Sequence, residues 1–158
     1  MKIKKPYNTK NYKTVQAKAK GYNGNTPPCK PAKGFKWHKN DGWYSLYLGY
    51  QQWVQIPEDV TLVGESFVAD SVEIREETTF EKEALLCENS RIEKGNTFEE
   101  KVILFPSSKI GSGNTFNRVV KLHSNSKIGN GNIFKGEVIL FKNSKLGNNQ
   151  NHENAINQ

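Results

Sequence analysis

Two cysteines, one methionine and no run of eighteen apolar residues mark this 158-residue chain by what it lacks. Without such a run no helix of the sequence is expected to cross a membrane. The start, Met1-Lys2-Ile3-Lys4-Lys5-Pro6, is basic but has no apolar core behind it, so no secretory leader is read there and a cytoplasmic location is expected. Cys29 and Cys87 sit in unlike contexts and belong to no CxxC or Cys/His cluster, so neither a disulfide scaffold nor a structural zinc site is expected. Acid is nearly missing from the first third: residues 1–55 hold eleven lysines and only Asp41. Residues 56–100 reverse this with thirteen acids against four bases, and residues 101–158 return to eight bases against two acids. Such layering speaks of partners and assembly rather than of fold.

What is present is a repeat. From Ile56, every sixth residue through Leu146 is large and apolar, sixteen positions without an interruption. Every eighteenth residue nearly repeats itself. Ile74, Ile92, Ile110, Ile128 and Leu146 form one column; Phe80, Phe98, Phe116 and Phe134 a second; Leu86, Leu104, Leu122 and Leu140 a third. Four residues after the anchors come Asn96, Asn114 and Asn132 in the first column, Val102, Val120 and Val138 in the second, and Ser90, Ser108, Ser126 and Ser144 in the third. Neither a 3.6-residue helical period nor strict alternation gives this spacing. It describes a coil of three short strands and three corners, with Gly95, Gly113 and Gly131 at corners that favour positive φ. Stacked at about 4.8 Å per rung, five such coils make an all-β prism roughly 25 Å tall. One coil alone cannot bury its anchors, so the repeat has to continue.

The segments Ile110-Gly111-Ser112-Gly113-Asn114-Thr115 and Ile128-Gly129-Asn130-Gly131-Asn132-Ile133 resemble the hexapeptide repeat of left-handed parallel β-helix proteins, over residues 56–150. The resemblance implies a left-handed coil and a trimer. It includes acyltransferases, gamma-class carbonic anhydrases, antifreeze proteins and non-enzymatic assembly modules, so the fold does not choose a function. The domains read as a flexible basic arm (1–34), an aromatic hairpin or cap turning at Asn40-Asp41-Gly42 (35–55), the β-helix (56–150) and a disordered tail (151–158).

Residues flanking an inward anchor face outward. On the third column these are Leu85/Cys87, Ile103/Phe105, Lys121/His123 and Ile139/Phe141, a mostly apolar strip expected to be covered by a symmetry mate or by the N-terminal segment. On the first column Arg91, Lys109, Lys127 and Lys145 form a basic ladder, either edge protection and solubility or a strip for anions. The arm offers Lys2, Lys4, Lys5, Lys10, Lys13, Lys18, Lys20, Lys33, Lys36 and Lys39 for phosphate contacts, with Trp37 and Trp43 as stacking surfaces. The expectation is a non-enzymatic, oligomeric protein binding nucleic acid or another polyanion or acidic protein surface, with no cofactor and no metal. Its size and charge fit a mobile-element factor that inhibits a host nucleic-acid machine. Two other readings stand beside it. An acyltransferase would use acetyl-CoA with His123 as base, and an assembly module would stack end to end through oppositely charged coils.

Overall fold

The computed structural model describes residues 12–15, 18–20, 25–30, 36–40, 43–45, 52–69 and 71–158. Five strands precede the repeat: β1 (Tyr12–Val15), β2 (Lys18–Lys20), β3 (His38–Asn40), β4 (Trp43–Ser45) and β5 (Gln52–Gln55). β1 pairs antiparallel with β5, and β2, β4 and β3 form a small antiparallel sheet in that order. Asn40 pairs with Trp43; Asp41 and Gly42 of the expected Asn40-Asp41-Gly42 turn lie outside the described residues. Strands β1 and β2 fall within the stretch read as a basic arm (1–34), of which residues 1–11, 16–17, 21–24 and 31–34 lie outside the described residues.

The repeat begins with β6 (Phe67–Val68) and then runs in threes. The coils are β7 (Glu73–Ile74), β8 (Thr79–Phe80), β9 (Ala84–Leu86); then β10 (Arg91–Ile92), β11 (Thr97–Phe98), β12 (Val102–Leu104). Next come β13 (Lys109–Ile110), β14 (Thr115–Phe116), β15 (Val120–Leu122); and β16 (Lys127–Ile128), β17 (Ile133–Phe134), β18 (Val138–Leu140). The last coil is β19 (Lys145–Leu146), β20 (Asn151–His152), β21 (Ile156–Asn157). All pairings are parallel and in register at eighteen residues, giving three sheets: β19-β16-β13-β10-β7, β20-β17-β14-β11-β8 and β21-β18-β15-β12-β9-β6. The chain is a parallel β-solenoid of about five coils. Strands β20 and β21 correct the expected disordered tail, because they pair with β17 and β18 as a further rung.

The three anchor columns are buried on the axis, with Leu86, Ile92, Phe98, Leu104, Phe116 and Leu122 fully enclosed. Each Phe ring lies flat on the next: centroids are 5.1, 4.9 and 4.9 Å apart from Phe80 through Phe134, and the stack ends on His152, 4.9 Å further. Polar anchors are buried too. Asn96, Asn114 and Asn132 form an internal ladder in which each Oδ1 accepts the backbone N–H eighteen residues on, at 2.8–2.9 Å. Their Nδ2 groups donate to the carbonyls of Gly111, Gly129 and Gly147. Every buried polar group of this row thus has a partner, as burial requires. Gly129 admits the tight approach of neighbouring coils: a Cβ there would lie 2.6 Å from the carbonyl oxygen of Gly147.

Two corner series turn through positive φ. One holds Glu77, Gly95, Gly113, Gly131 and Asn149, which includes the three glycines picked out above. The other holds Asn89, Ser107, Asn125 and Asn143 at φ 61–66°. Asparagine tolerates this conformation because its short side chain can hydrogen-bond locally. One residue later, the buried Ser90, Ser108 and Ser126 hydroxyls donate back to the carbonyls of Cys87, Phe105 and His123 at 2.6–2.7 Å, which tightens this corner.

Cys29 and Cys87 form a disulfide across 58 residues, with Cα atoms 4.4 Å apart. This overturns the expectation that the cysteines are unpaired. It also removes Cys87 from the exposed strip, since the residue is fully buried. The bond is the centre of a clasp. The Trp37 indole N–H donates to the Cys29 carbonyl at 2.9 Å while its ring meets Phe67 edge-on at 5.2 Å. The Lys30 N–H lies 3.0 and 3.1 Å from the two Glu88 carboxylate oxygens. Cys29, Lys30 and Trp37 are thereby fastened beside β6 and the end of β9.

Candidate functional site

The second corner series and the first sheet meet in an open groove of 560 Å³ running across the coils. Its walls are Asn89, Ser107, Asn125 and Asn143 on the corner side and Lys109, Lys127 and Lys145 on the sheet side. The alternation follows from the repeat. The corner residue turns through positive φ, a serine hydroxyl locks the turn, and the next residue leaves the inward Ile column on the outside. In-register pairing of β13, β16 and β19 then sets Lys109, Lys127 and Lys145 on successive rungs. All three are exposed, and none enters an ion pair among the described residues.

Arg91, the fourth member of the expected ladder, behaves differently. It stacks above Lys109 in register but does not line the groove. Its guanidinium Nε lies 3.5 Å from a Glu73 carboxylate oxygen and closer still to Glu93, within charge-pairing distance. Arg75 reaches the same two acids at 3.7 and 4.0 Å. On this face the two arginines of the first coils are therefore met by glutamates, whereas among the described residues no acid pairs with Lys109, Lys127 or Lys145.

Edge protection does not account for the free lysines. Lys109 and Lys127 lie on β13 and β16, interior rungs paired on both sides, and only Lys145 on β19 lies at a sheet edge. Like charges facing one another across adjacent strands repel, each such pair costing a few tenths to about 1 kcal/mol. An anion lying along the row would relieve that repulsion. Amides and a hydroxyl flank the cations, so the groove presents both charged donors and neutral donor–acceptors.

The other expected site residues are scattered. Lys2, Lys4, Lys5, Lys10 and Lys33 lie outside the described residues. Lys13 falls in β1, Lys18 and Lys20 in β2, and Lys36 and Lys39 are exposed. Trp37 is not a free stacking surface, since its ring is held in the clasp; Trp43 is half-buried in β4. On the third sheet Leu85, Ile103, Phe105, Lys121, His123 and Ile139 are half-buried, and Phe141 is 52% exposed. His123 sits between Phe105 and Phe141, with ring centroids 4.4 and 6.0 Å away. Burial, aided by the Lys121 charge, holds its pKa below the ordinary 6.5. Among the described residues no carboxylate is bonded to its ring, and no three His, Cys, Asp or Glu side chains converge as metal ligands. No helix among the described residues is long and apolar enough to cross a membrane.

The corner amides were not anticipated as part of a site. Their signal was present as Asn89, Ser107, Asn125 and Asn143 at eighteen-residue spacing, one position before the serine column. Comparison of the chain with protein-family models, with curated proteins and with solved structures finds no match. The protein's class is therefore set by its own geometry, a parallel β-solenoid with a basic groove across its later coils.

Proposed function

We propose that this protein is a non-enzymatic binder of linear polyanions, in which the solenoid is a rigid ruler and the groove is the contact surface. The observation that carries this reading is the row of Lys109, Lys127 and Lys145 within one groove, none of them in an ion pair among the described residues. The lysine-rich N-terminal segment adds further cations to the same ligand. The coil hand is left, as in the hexapeptide-repeat proteins it resembles, and the apolar strip of Ile103, Phe105, Ile139 and Phe141 joins copies of the chain. Acyl transfer is the weaker alternative: His123 has neutral character but lies between two phenyl rings without an orienting carboxylate.

The test uses inorganic polyphosphate as a bare polyanion, titrated against the full chain across a salt series. Three phosphate contacts give a slope of log K against log salt of roughly −2, by analogy with single-stranded polyanions. The Lys109→Gln/Lys127→Gln/Lys145→Gln variant should lose that part of the slope. Binding and slope unchanged in the triple variant would overturn the groove as the site.

A further inference from the structure

We propose that the ligand of the groove is a linear anionic polysaccharide, laid across the coils with its charged groups on the lysine row and its hydroxyls on the corner amides. The proposal rests on the polyanion reading and names the ligand class for that same site. Three observations favour a polysaccharide over a nucleic acid.

The first is the absence of any aromatic ring among the seven groove-lining residues. Proteins that hold unpaired nucleic acid combine a basic track with rings on which bases stack. Here the track has no such partner, and Trp37 is committed to Phe67 and the Cys29 carbonyl. A base would gain nothing from this wall.

The second is what stands beside the lysines instead. Asn125 and Asn143 are exposed at the corner and Ser107 is half-buried there, each able to donate and to accept a hydrogen bond. Sugar hydroxyls have the same dual character and recur along a chain, as these corners recur along the solenoid at about 4.8 Å per rung. One row meets charge and the other meets hydroxyl. A ligand carrying both on a linear backbone engages the two rows together.

The third is the buried Cys29–Cys87 disulfide. Disulfides form and persist in oxidising compartments and are rare in the cytosol. That argues against the cytoplasmic location expected from the sequence and towards surroundings in which surface polysaccharides are common polyanions.

The experiment compares a heparin octasaccharide with an oligothymidylate of equal charge, each titrated against the full chain at two salt concentrations. Two variants separate the rows. Lys109→Gln/Lys127→Gln/Lys145→Gln removes the charges, and Asn125→Gly/Asn143→Gly removes the amides while keeping a residue suited to positive φ. Melting curves like that of the parent establish that both variants fold. The proposal expects the octasaccharide to bind more tightly than the oligothymidylate. The lysine variant should weaken octasaccharide binding by about tenfold or more and flatten its salt dependence. The amide variant should weaken it by roughly fivefold at unchanged slope, as lost neutral hydrogen bonds do, and leave polyphosphate binding unaltered. If oligothymidylate binds as tightly, depends equally on the lysines and ignores the amides, the polysaccharide assignment is overturned while the polyanion reading stands. If the lysine variant binds every probe as the parent does, both fall together.

Discussion

Replacing Asn114 by alanine tests whether the internal amide ladder holds the coils together. Its Oδ1 accepts the Asn132 N–H at 2.8 Å in the interior, and its Nδ2 donates to the part-buried Gly129 carbonyl at 2.9 Å. The Gly111 carbonyl keeps another donor in Asn96 Nδ2 at 2.8 Å, and Asn96 Oδ1 keeps the Asn114 backbone N–H at 2.9 Å. Truncation therefore strands one donor and one acceptor outright. Each unsatisfied buried group costs about 1–3 kcal/mol. The total is about 2–6 kcal/mol, which lowers the melting temperature by roughly 5–20 °C in a chain of this size. Asn130→Ala is the matched control. Its Oδ1 accepts the Ser112 N–H at 2.8 Å, but the residue is exposed, so water replaces the lost partner. That variant should stay within about 1 kcal/mol of the parent. Asn114→Thr should fall between the two, because Thr78 fills the equivalent place in the first coil and donates to the Glu93 carbonyl at 3.1 Å. Thermal and urea denaturation of the three variants decide the matter. If Asn114→Ala loses no more stability than Asn130→Ala, the ladder is not what holds these coils in register.

Two further outcomes follow from the clasp and from the apolar strip. Cys29→Ser opens a cross-link spanning 58 residues, for which the chain-entropy estimate is about 4 kcal/mol; limited proteolysis should then cut before residue 56 while the repeat survives, and a digestion pattern unchanged from the parent would refute the clasp. His123 has a folded pKa below its ordinary 6.5, so the unfolded chain binds the proton more readily and stability rises with pH. Its contribution is present above 6.5 and is lost as pH falls through the folded value. Melting the parent and His123→Gln between neutral and acid pH should show the parent alone losing this increment, and parallel curves would contradict it.

The solenoid was legible because its core is written at one period. Fourteen of the sixteen apolar hexad anchors are buried, with Leu62 and Leu146 half-buried, and the columns at eighteen residues and the recurring corner glycines survive as stacked rows and positive-φ turns. The last rung was missed for a specific reason. At the next hexad position stands His152, polar by composition, yet its flat ring stacks on Phe134 at 2° interplanar angle and continues the phenylalanine column. A period judged by apolarity stops there, whereas one judged by shape does not. Ile156, which pairs with Val138, carried the same message. The disulfide was illegible because only Cys87 lies in the repeat, and periodicity says nothing of where Cys29 docks. The basic ladder was visible, but its division was not: Arg91 is paired with Glu73 on the neighbouring rung and with Glu93, just past the end of its own strand.

That division gives the solenoid a polarity. In its first coils, Arg75 and Arg91 interlock with Glu73 and Glu93 on successive rungs, so the basic charge of this face is met within the protein. In its later coils the corresponding positions are lysines with no opposing acid, set on a lattice whose pitch is fixed by backbone hydrogen bonds of 2.8–3.0 Å. Such a ladder weakens the fold slightly and adds nothing to the core, which is complete without it. Its backbone spacing is nonetheless fixed, because moving one rung means breaking the coil beneath it. A flexible basic tail binds any polyanion and loses conformational entropy each time. A row built on a solenoid has lost that entropy at folding, so each added contact contributes its attraction with little further ordering of the backbone. On the proposed reading, the cost of the like charges is intelligible as preorganisation for a ligand that is itself linear and repetitive.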